Sequence, residues 1–340
     1  MTAPPPHIGI LVYPNAQMAA VHGLTDLFAV ADRLQRQRTG NERASLRISQ
    51  LVSPADTMGP APVFDTHEGE DGEPDVLILP PSLGAPPIEE IARPFTTWLR
   101  AQHGRGTALA SVCAGAFLLA ESGVLSGRAA TTHWAYARMF KERYPDVHVD
   151  ADKLLIDDGD ILTAGGVMAW TDLGLRLVQR LLGPTAMIET ARFLLVDPPG
   201  REQRYYSAFS PRLNHGDGPI LKVQHWLQAN GARAIQVGAM ADVAGLEERT
   251  FLRRFRAATG LRPIEYCQQV RIARARDMLE TTTTAIDQVG WRVGYDDPAS
   301  FRRLFVKLTG LTPGDYRRRF GTRQTSATGR STGIDVRRSS

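Results

Sequence analysis

Two groups of side chains in this 340-residue sequence have the types and spacing that chemistry requires. The first is Cys113, in the stretch ASVCAGAF (110–117), with His133 twenty residues later. A thiol beside an imidazole can act as a nucleophile that a base activates. The second group is the arginines of the segments 251–256 and 301–307. Arginine can bond to DNA phosphates and, in pairs of hydrogen bonds, to guanine.

The arginine-containing segments belong to an internal repeat. Residues 251–266, FLRRFRAATGLRPIEY, and residues 301–316, FRRLFVKLTGLTPGDY, are identical at eight of sixteen positions. In each copy two phenylalanines four residues apart lie on one face of a predicted helix, and arginines lie on the other faces. A turn glycine precedes each helix, Gly245 in the first copy and Gly294 in the second. Each copy therefore predicts a helix-turn-helix motif with a basic recognition helix.

A predicted helix connects the two copies. Its sequence, PIEYCQQVRIARARDMLE, occupies 263–280, and at about 1.5 Å per residue it is roughly 27 Å long. This length is close to the ~34 Å between major-groove faces one DNA turn apart. The chain can thus present two recognition helices to successive grooves of one duplex. Cys267, on the apolar face of the connecting helix, is a predicted core residue.

Charge is divided unevenly along the chain. Residues 1–217 carry 19 Lys and Arg against 25 Asp and Glu, a net charge of −6. Residues 218–340 carry 21 against 11, a net charge of +10. The composition of 321–340 predicts a disordered tail, which contributes only +3 of that charge. A basic folded region beside an acidic remainder favours double-stranded DNA as a partner.

The length and the pattern of apolar residues predict two domains. Three short apolar runs are predicted strands of a parallel sheet, at 8–13, 75–80 and 107–112. Helical patterns alternate with them, and one is assigned to 161–183. Such alternation predicts a three-layer α/β domain. The predicted organisation is an α/β domain at 1–196, a linker at 197–219, an all-α domain with two helix-turn-helix motifs at 220–320, and the tail at 321–340.

Several classes of protein are excluded by composition. Two distant cysteines support neither a disulfide framework nor a zinc site, so we expect no metal and no cofactor. The N-terminus, MTAPPPHIGILVYP, lacks the basic region of a signal peptide. No stretch approaches the ~20 apolar residues of a membrane span. We therefore expect a cytoplasmic protein without a membrane partner.

Residues 220–320 resemble the AraC/XylS-type DNA-binding domain. The resemblance rests on GLEERTFLRRFRAATGLRP, EYCQQVRIARARDMLE and VGYDDPASFRRLFVKLTGLTPGDYRRRF. It implies base contacts from exposed positions of both recognition helices, namely Arg249, Thr250, Leu252 and Arg253 in the first and Pro298, Ala299, Arg302 and Arg303 in the second. Arg256 and Lys307 are expected phosphate contacts. Gly290 stands where the family usually has alanine, and the short side chains of Pro298 and Ala299 predict weaker base readout by the second motif.

Residues 7–195 resemble the PfpI/ThiJ superfamily, which has a flavodoxin-like, class I glutamine-amidotransferase-like fold. The resemblance rests on LASVCAGAFLLAESGVLSGRAATTHW (109–134) and DGDILTAGGVMAWTDLGLRLVQRL. It implies that Cys113 occupies a sharp turn after a strand, that His133 approaches it, and that N–H groups of Ala114 and of the loop near Gly84 form an oxyanion hole. Many of these enzymes place a carboxylate on the first helix, where this sequence has Ala20.

Because that carboxylate is missing, three roles for Cys113 stay open. They are, in the order in which we favour them, a residue of an effector pocket, an inert remnant of the fold, and a nucleophile. A histidine by itself is more often a packed residue than a base, so Cys113 and His133 are at most vestigial catalytic residues. The predicted lining of the pocket is Cys113, Ala114, Gly84, His133 and Ala20.

The two domains together resemble the GlxA/FtrA group of AraC-family regulators. The resemblance implies a sequence-specific transcriptional regulator, more often an activator in this family. We expect a homodimer formed through the front domain, an unknown small-molecule effector, and RNA polymerase as a partner. Two alternatives stay open. One is a cysteine-dependent hydrolase or hydratase fused to a DNA-binding domain, and the other is a non-specific DNA binder whose affinity falls steeply with salt.

Overall fold

The computed structural model describes residues 4–53, 59–70, 72–87, 89–232 and 236–321. The chain divides into two compact units, with the boundary between Ser207 and Ala208. This boundary falls inside the segment 197–219, for which the sequence predicts a linker. The predicted disordered tail lies, apart from its first residue, outside the described residues.

The first unit alternates strands and helices. Its elements are β1 (His7–Val12), α1 (Met18–Thr39), β2 (Arg47–Val52), β3 (Ala61–Asp65), β4 (Val76–Leu79), α2 (Glu89–Gly104), β5 (Ala108–Val112), α3 (Ala116–Glu121), β6 (Ala129–Ala130), α4 (Ala137–Arg143), β7 (His148–Val149), β8 (Leu155–Asp157), β9 (Ile161–Ala164), α5 (Trp170–Leu182) and α6 (Pro184–Leu194). Single 3₁₀ turns occur at Cys113–Gly115, Trp134–Tyr136 and Gln203–Tyr205.

Seven of these strands form one sheet in the order β3-β2-β1-β4-β5-β9-β8. Strands β2, β1, β4, β5 and β9 are parallel, and β3 and β8 run antiparallel at the two edges. Parallel strands end at the same edge of a sheet, and ligands of such folds bind outside these carboxyl ends. The loops after β1, β4, β5 and β9 therefore meet at one edge.

Side chains alternate between two cores, one on each face of the sheet. Ile8 and Ile10 of β1 pack with α1, α5 and α6 on one face. Leu11, one residue further, packs with α2 and α3 on the opposite face. Because both faces are covered, the central strands are apolar almost throughout. The predicted three-layer α/β fold is confirmed.

Two features of the predicted pattern of elements are corrected by the structure. Residues 161–164 are strand β9 and not the start of a helix, because they pair in parallel with β5. Strand β2 escapes a search for apolar runs because Ser49 and Gln50 interrupt it. Both are buried, and the Ser49 Oγ lies 2.8 Å from Nε2 of His7 on β1. Pairing between distant segments decides the strand in both cases.

The second unit is helical. Its elements are α7 (Gly218–Asn230), α8 (Val237–Ala244), α9 (Glu248–Thr259), α10 (Pro263–Thr281), α11 (Ile286–Arg292), α12 (Pro298–Thr309) and α13 (Pro313–Phe320). Helix pairs α8–α9 and α11–α12 are the two predicted helix-turn-helix motifs. The predicted all-α architecture is confirmed.

Helix α10 belongs to two separate cores. Its first half packs with α7, α8 and α9, and its second half packs with α11, α12 and α13. With 19 residues it is about 28 Å long. Cys267 is fully buried in the first of these cores, which confirms its predicted core position. One helix therefore supports both motifs.

Candidate functional site

Cys113 lies at the sharp turn between β5 and α3, at the carboxyl edge of the sheet. Its φ of 54° is in the left-handed region, which a side chain occupies only with strain. A Cβ atom on Gly115 would lie 2.4 Å from the carbonyl oxygen of Leu79 and 2.8 Å from that of Pro80. The turn therefore has the strained and crowded geometry of a nucleophile elbow.

The Cys113 thiol is fully buried and uncharged at neutral pH. Burial raises its pKa to about 11, although the backbone N–H groups of Ala114 and Gly166 favour the thiolate and partly oppose this rise. The Thr132 hydroxyl donates to the carbonyl oxygen of Cys113 at 2.8 Å and holds the turn. Because the thiolate is the reactive form, a buried thiol with a raised pKa is a weak nucleophile.

His133 is not arranged as the base of a catalytic pair. Its Nδ1 accepts a hydrogen bond from the N–H of Ala135 at 3.1 Å, so the neutral ring carries its proton on Nε2. Burial lowers the pKa of His133 and keeps the ring neutral at pH 7. Between the described residues, no hydrogen bond joins His133 to Cys113. The contact that would activate the thiol is not assembled.

The other predicted pocket residues, Gly84 and Ala20, differ in their burial and in their hydrogen bonds. The N–H of Gly84 donates to the Ser82 Oγ at 3.3 Å, and its carbonyl oxygen lies 3.5 Å from the Tyr136 hydroxyl. The ring of Tyr136 is 5.5 Å from that of His133, so Tyr136 links the two loops. Ala20 is buried on α1 and contributes no polar group. The N–H of Gly84 is thus engaged by Ser82, and the backbone N–H of Ala114 favours the thiolate form of Cys113.

Sequence motifs alone miss the polar residues that follow β1. The Tyr13 hydroxyl donates to the carbonyl oxygen of Pro80 at 2.6 Å, and the Gln17 N–H donates to that of Pro81 at 2.7 Å. The Gln17 side chain is buried, and its Oε1 has no hydrogen-bond partner within the described residues. A buried acceptor without a partner is costly, so this oxygen suits an incoming N–H or O–H donor. Tyr13 and Gln17 follow the parallel strand β1, and this position in the sequence is the signal that could have identified them.

The first recognition helix, α9, follows the predicted turn at Gly245, whose φ is 65°. Phe251 and Phe255 are fully buried, as their spacing predicts. The exposed arginines of this helix are Arg249, Arg253 and Arg256. In the part of the chain that the structure describes, none of the three has a hydrogen-bond or ion-pair partner. As far as the described residues go, helix α9 therefore presents three unpaired guanidinium groups to solvent.

Not every arginine of α9 is available. Arg254 binds both carboxylate oxygens of Asp217, the residue that caps α7, at 2.9 and 2.8 Å. Thr250 is half-buried, whereas Leu252 is exposed. A cavity of about 560 Å³ beside the helix is lined by Leu252, Arg253, Arg256 and, from the start of α10, Arg262. Arg262 is a candidate contact that the resemblance does not indicate; its position next to the first turn of α10 is the only local signal.

The second recognition helix, α12, carries its arginines in ion pairs. The Arg302 guanidinium lies 2.5 Å from the Asp287 carboxylate. Arg303 donates to the Ser300 Oγ at 2.8 Å and lies 3.8 Å from Asp297, the residue that caps the helix. These exposed pairs are weak and screened by salt, but they must be exchanged before either arginine reaches a base.

The other predicted contacts of α12 differ in exposure. Ala299 and Lys307 are exposed, and Pro298 is half-buried. A Cβ atom on Gly290 would lie 3.0 Å from the Phe301 ring, so a close approach of α11 to that ring explains glycine at this position.

One buried side chain of α10 bonds to the turn that precedes the first motif and to the turn within the second. The Arg271 Nε donates to the carbonyl oxygen of Ala232, in the turn before α8, at 2.8 Å. Its Nη1 donates to the carbonyl oxygen of Gly294, in the turn between α11 and α12, also at 2.8 Å. The guanidinium lies 5.2 Å from the centre of the Tyr295 ring. Arg271 therefore ties the two motifs together, a role that no local pattern indicates.

Nowhere in the described ranges do His, Cys, Asp and Glu side chains form a group that could hold a metal ion. No helix in those ranges combines the length and the apolar character that crossing a bilayer needs.

Comparison with known proteins agrees with both units. The model of the family described as "Helix-turn-helix domain" matches residues 240–319, and that of the DJ-1/PfpI family matches residues 25–180. The chain is 30% identical over 229 residues to the HTH-type transcriptional regulator GlxA of Rhizobium meliloti (strain 1021), which covers 66% of this chain and 70% of that protein. It is 26% identical over 235 residues to the HTH-type transcriptional regulator CdhR of Pseudomonas aeruginosa, covering 69% of this chain and 70% of that protein.

An enzyme is also among the relatives. The chain is 27% identical over 189 residues to isonitrile hydratase of Pseudomonas putida, covering 55% of this chain and 75% of the enzyme.

Proposed function

Because the chain belongs to the AraC-type helix-turn-helix transcriptional regulators that carry a DJ-1/PfpI domain, we propose that its second unit reads a specific operator under the control of a small molecule bound by the first. The observation that carries this proposal is the first recognition helix. Its phenylalanines are buried, and its three exposed arginines have no partner within the described residues. Helix α10 also supports the second helix-turn-helix motif, so one chain carries two recognition helices.

The residues of the two helices take different roles in this proposal. Arg249 and Arg253 contact bases in the first groove, with Thr250 and Leu252 beside them. Arg256 and Arg262 contact phosphates, which adds affinity but little sequence preference. In the second groove the contacts come from Pro298, Ala299, Arg302, Arg303 and Lys307. Since Arg302 and Arg303 must leave acidic partners, the second helix contributes less discrimination.

The first unit is proposed to bind an effector and to form the homodimer. We place the effector pocket at the carboxyl edge of the sheet, with Cys113, Ala114, Gly84, His133 and Ala20 as its proposed lining. Gln17 adds a buried acceptor. The effector acts only through different affinities for two arrangements of the chain. We further propose that the protein is cytoplasmic and activates transcription together with RNA polymerase.

Selection of duplexes from a random pool tests the proposed function. The full chain is expected to enrich one operator and to bind it about 10³-fold or more tightly than random DNA at physiological salt. Fluorescence anisotropy on the enriched duplex, and on a scrambled duplex of the same composition, measures this ratio. Equal affinities for both duplexes, falling together as salt rises, would instead identify a non-specific binder.

The similarity to isonitrile hydratase favours a second candidate function, cysteine-dependent hydration or hydrolysis. In that case Cys113 would be the nucleophile and His133 the base. The raised pKa of the thiol and the hydrogen bond that occupies Nδ1 of His133 both argue against it. We therefore propose that the first unit binds its small molecule without catalysis.

The reactivity of Cys113 toward iodoacetamide separates the two candidates. A thiol with a pKa of about 11 holds little thiolate at pH 7.5, so alkylation is expected to be on the order of 10² times slower than for an ordinary thiol. The rate should rise with pH until about pH 11, as the thiolate forms. Peptide mass spectrometry distinguishes Cys113 from Cys267. Rapid alkylation at pH 7, with a plateau below pH 8, would support a catalytic thiolate.

A further inference from the structure

The last residues of the first unit, 201–207, pack against the rest of that unit. Arg201 forms an ion pair with the buried carboxylate of Asp172 on α5. Glu202 lies 3.2 Å from the Lys153 ammonium group and forms an isolated β-bridge with the same residue. The segment 201–207, which continues toward the DNA-binding unit, is therefore anchored to the effector unit.

Gln203 is the deepest anchor of this segment. Its side chain is buried, with 2% of the residue exposed. Its Nε2 lies 2.8 Å from the carbonyl oxygen of Thr132, 2.9 Å from that of Lys153 and 3.0 Å from the Thr131 Oγ1. Its Oε1 accepts a hydrogen bond from the N–H of Trp134 at 3.1 Å. The amide of Gln203 is therefore hydrogen-bonded to the backbone on both sides of His133, at Thr132 and Trp134.

The space for this amide exists because residue 165 is glycine. A Cβ atom on Gly165 would lie 1.9 Å from the Gln203 Nε2. The backbone N–H of the next residue, Gly166, favours the thiolate form of Cys113 and so belongs to the surroundings of that thiol. On the other side, Thr132 donates its hydroxyl to the Cys113 carbonyl oxygen. Gln203 thus touches both strand-end loops that hold the Cys113 turn.

We propose that Gln203 is the positioning residue that transmits occupancy of the Cys113 pocket to the segment leading to the DNA-binding unit. This inference rests on the proposed function of that pocket. A ligand that shifts the Thr132–Trp134 backbone changes the hydrogen bonds of Gln203, and the anchored segment gains or loses its deepest contact. The segment 201–207 thus has two states, one with the Gln203 hydrogen bonds and one without them. A ligand that binds these two states with different affinities changes the affinity for DNA, typically by about 5- to 150-fold.

The test uses the full chain with a covalent occupant of the pocket. In a Cys267→Ala background Cys113 is the remaining cysteine, and iodoacetamide at alkaline pH attaches a carboxamidomethyl group to its sulfur with release of iodide. Affinity for the selected operator is then measured with and without the modification. The background protein is expected to show a change of at least about fivefold. Gln203→Met keeps the volume but not the hydrogen bonds, and its change should fall below about twofold.

Two further variants sharpen the result. Thr132→Val breaks the link at the Cys113 end and should also abolish the change, whether or not Gln203→Met folds well. Lys153→Met removes the surface ion pair with Glu202 but keeps the backbone carbonyl that Gln203 uses, so it should retain the change. Circular dichroism on heating identifies any variant that is unfolded.

The outcomes separate this inference from the proposed function. A change that persists undiminished in Gln203→Met and Thr132→Val, or no change in the background protein, would refute the role of Gln203 while operator binding stands. Loss of preference for the operator over scrambled DNA in every protein, the background included, would refute the proposed function itself.

Discussion

Replacing Arg253 with alanine is expected to weaken binding to the selected operator by about 1–3 kcal/mol, and binding to random DNA by much less. Arg253 is exposed on α9, and within the described residues its guanidinium group has no protein partner. Both of its bonding edges are therefore available to a guanine, and no ion pair has to be broken first. Fluorescence anisotropy at one fixed salt concentration, with operator and scrambled duplexes, measures both losses.

The matched control is Arg303→Ala, at the same position of the second repeat. Arg303 already bonds to Ser300 and lies near Asp297, so the loss at the operator should be smaller than for Arg253. Equal losses on operator and scrambled DNA would make Arg253 a phosphate contact. A larger loss for Arg303 than for Arg253 would contradict the inferred asymmetry between the two helices.

Replacing Arg271 with methionine is expected to lower the free energy of unfolding. It is also expected to reduce the advantage in affinity that the complete operator has over a half-site. The change leaves the carbonyl oxygens of Ala232 and Gly294 without this donor, at a cost of about 2–5 kcal/mol in the free energy of unfolding. With the tie removed, the two recognition helices are held less firmly at the spacing of adjacent grooves. Affinity for the complete operator should therefore fall more than tenfold, and affinity for a half-site much less.

Denaturant unfolding measures the stability, and anisotropy compares the complete operator, a half-site, and an operator with one base pair inserted between the half-sites. The variant should discriminate less than the parent against the insertion, which a uniform loss of stability would not produce. The control is Arg274→Met on the same helix, because Arg274 donates to the carbonyl oxygen of Gln228 on α7, which packs in the same core as the first motif. An equal loss on half-site and complete operator would show that Arg271 does not align the motifs.

The recurring local patterns account for what could be predicted of the DNA-binding unit. Phenylalanines four residues apart define the buried face of a helix wherever that helix packs, and Phe251 and Phe255 are buried accordingly. The turn glycine Gly245 has the positive φ that its place between two helices requires. The family resemblance extends this reasoning to a fold and a function because both repeats are in register over about 100 residues.

The first unit was harder to predict because its polar strands and loops carry weak local signals. Strand β2 contains buried serine and glutamine, and strand β9 reads locally as helix. Gln203 belongs to a stretch with prolines, glycines and mixed charge, which is typical of a linker. Its actual partners lie up to 72 residues away in the chain, at Thr131 and neighbouring residues.

The sequence by itself determined the two motifs and the connecting helix, because periodicity, turn glycines and motif spacing are properties of short segments. Its resemblance to known families indicated the elbow cysteine and the class of regulator. Only the tertiary structure decided which charged and polar groups are engaged. It pairs Arg254 with Asp217, leaves Arg253 without a partner among the described residues, and buries the Cys113 thiol. Ion pairs and pKa values depend on distances and desolvation between segments far apart in the chain, and no local pattern contains them.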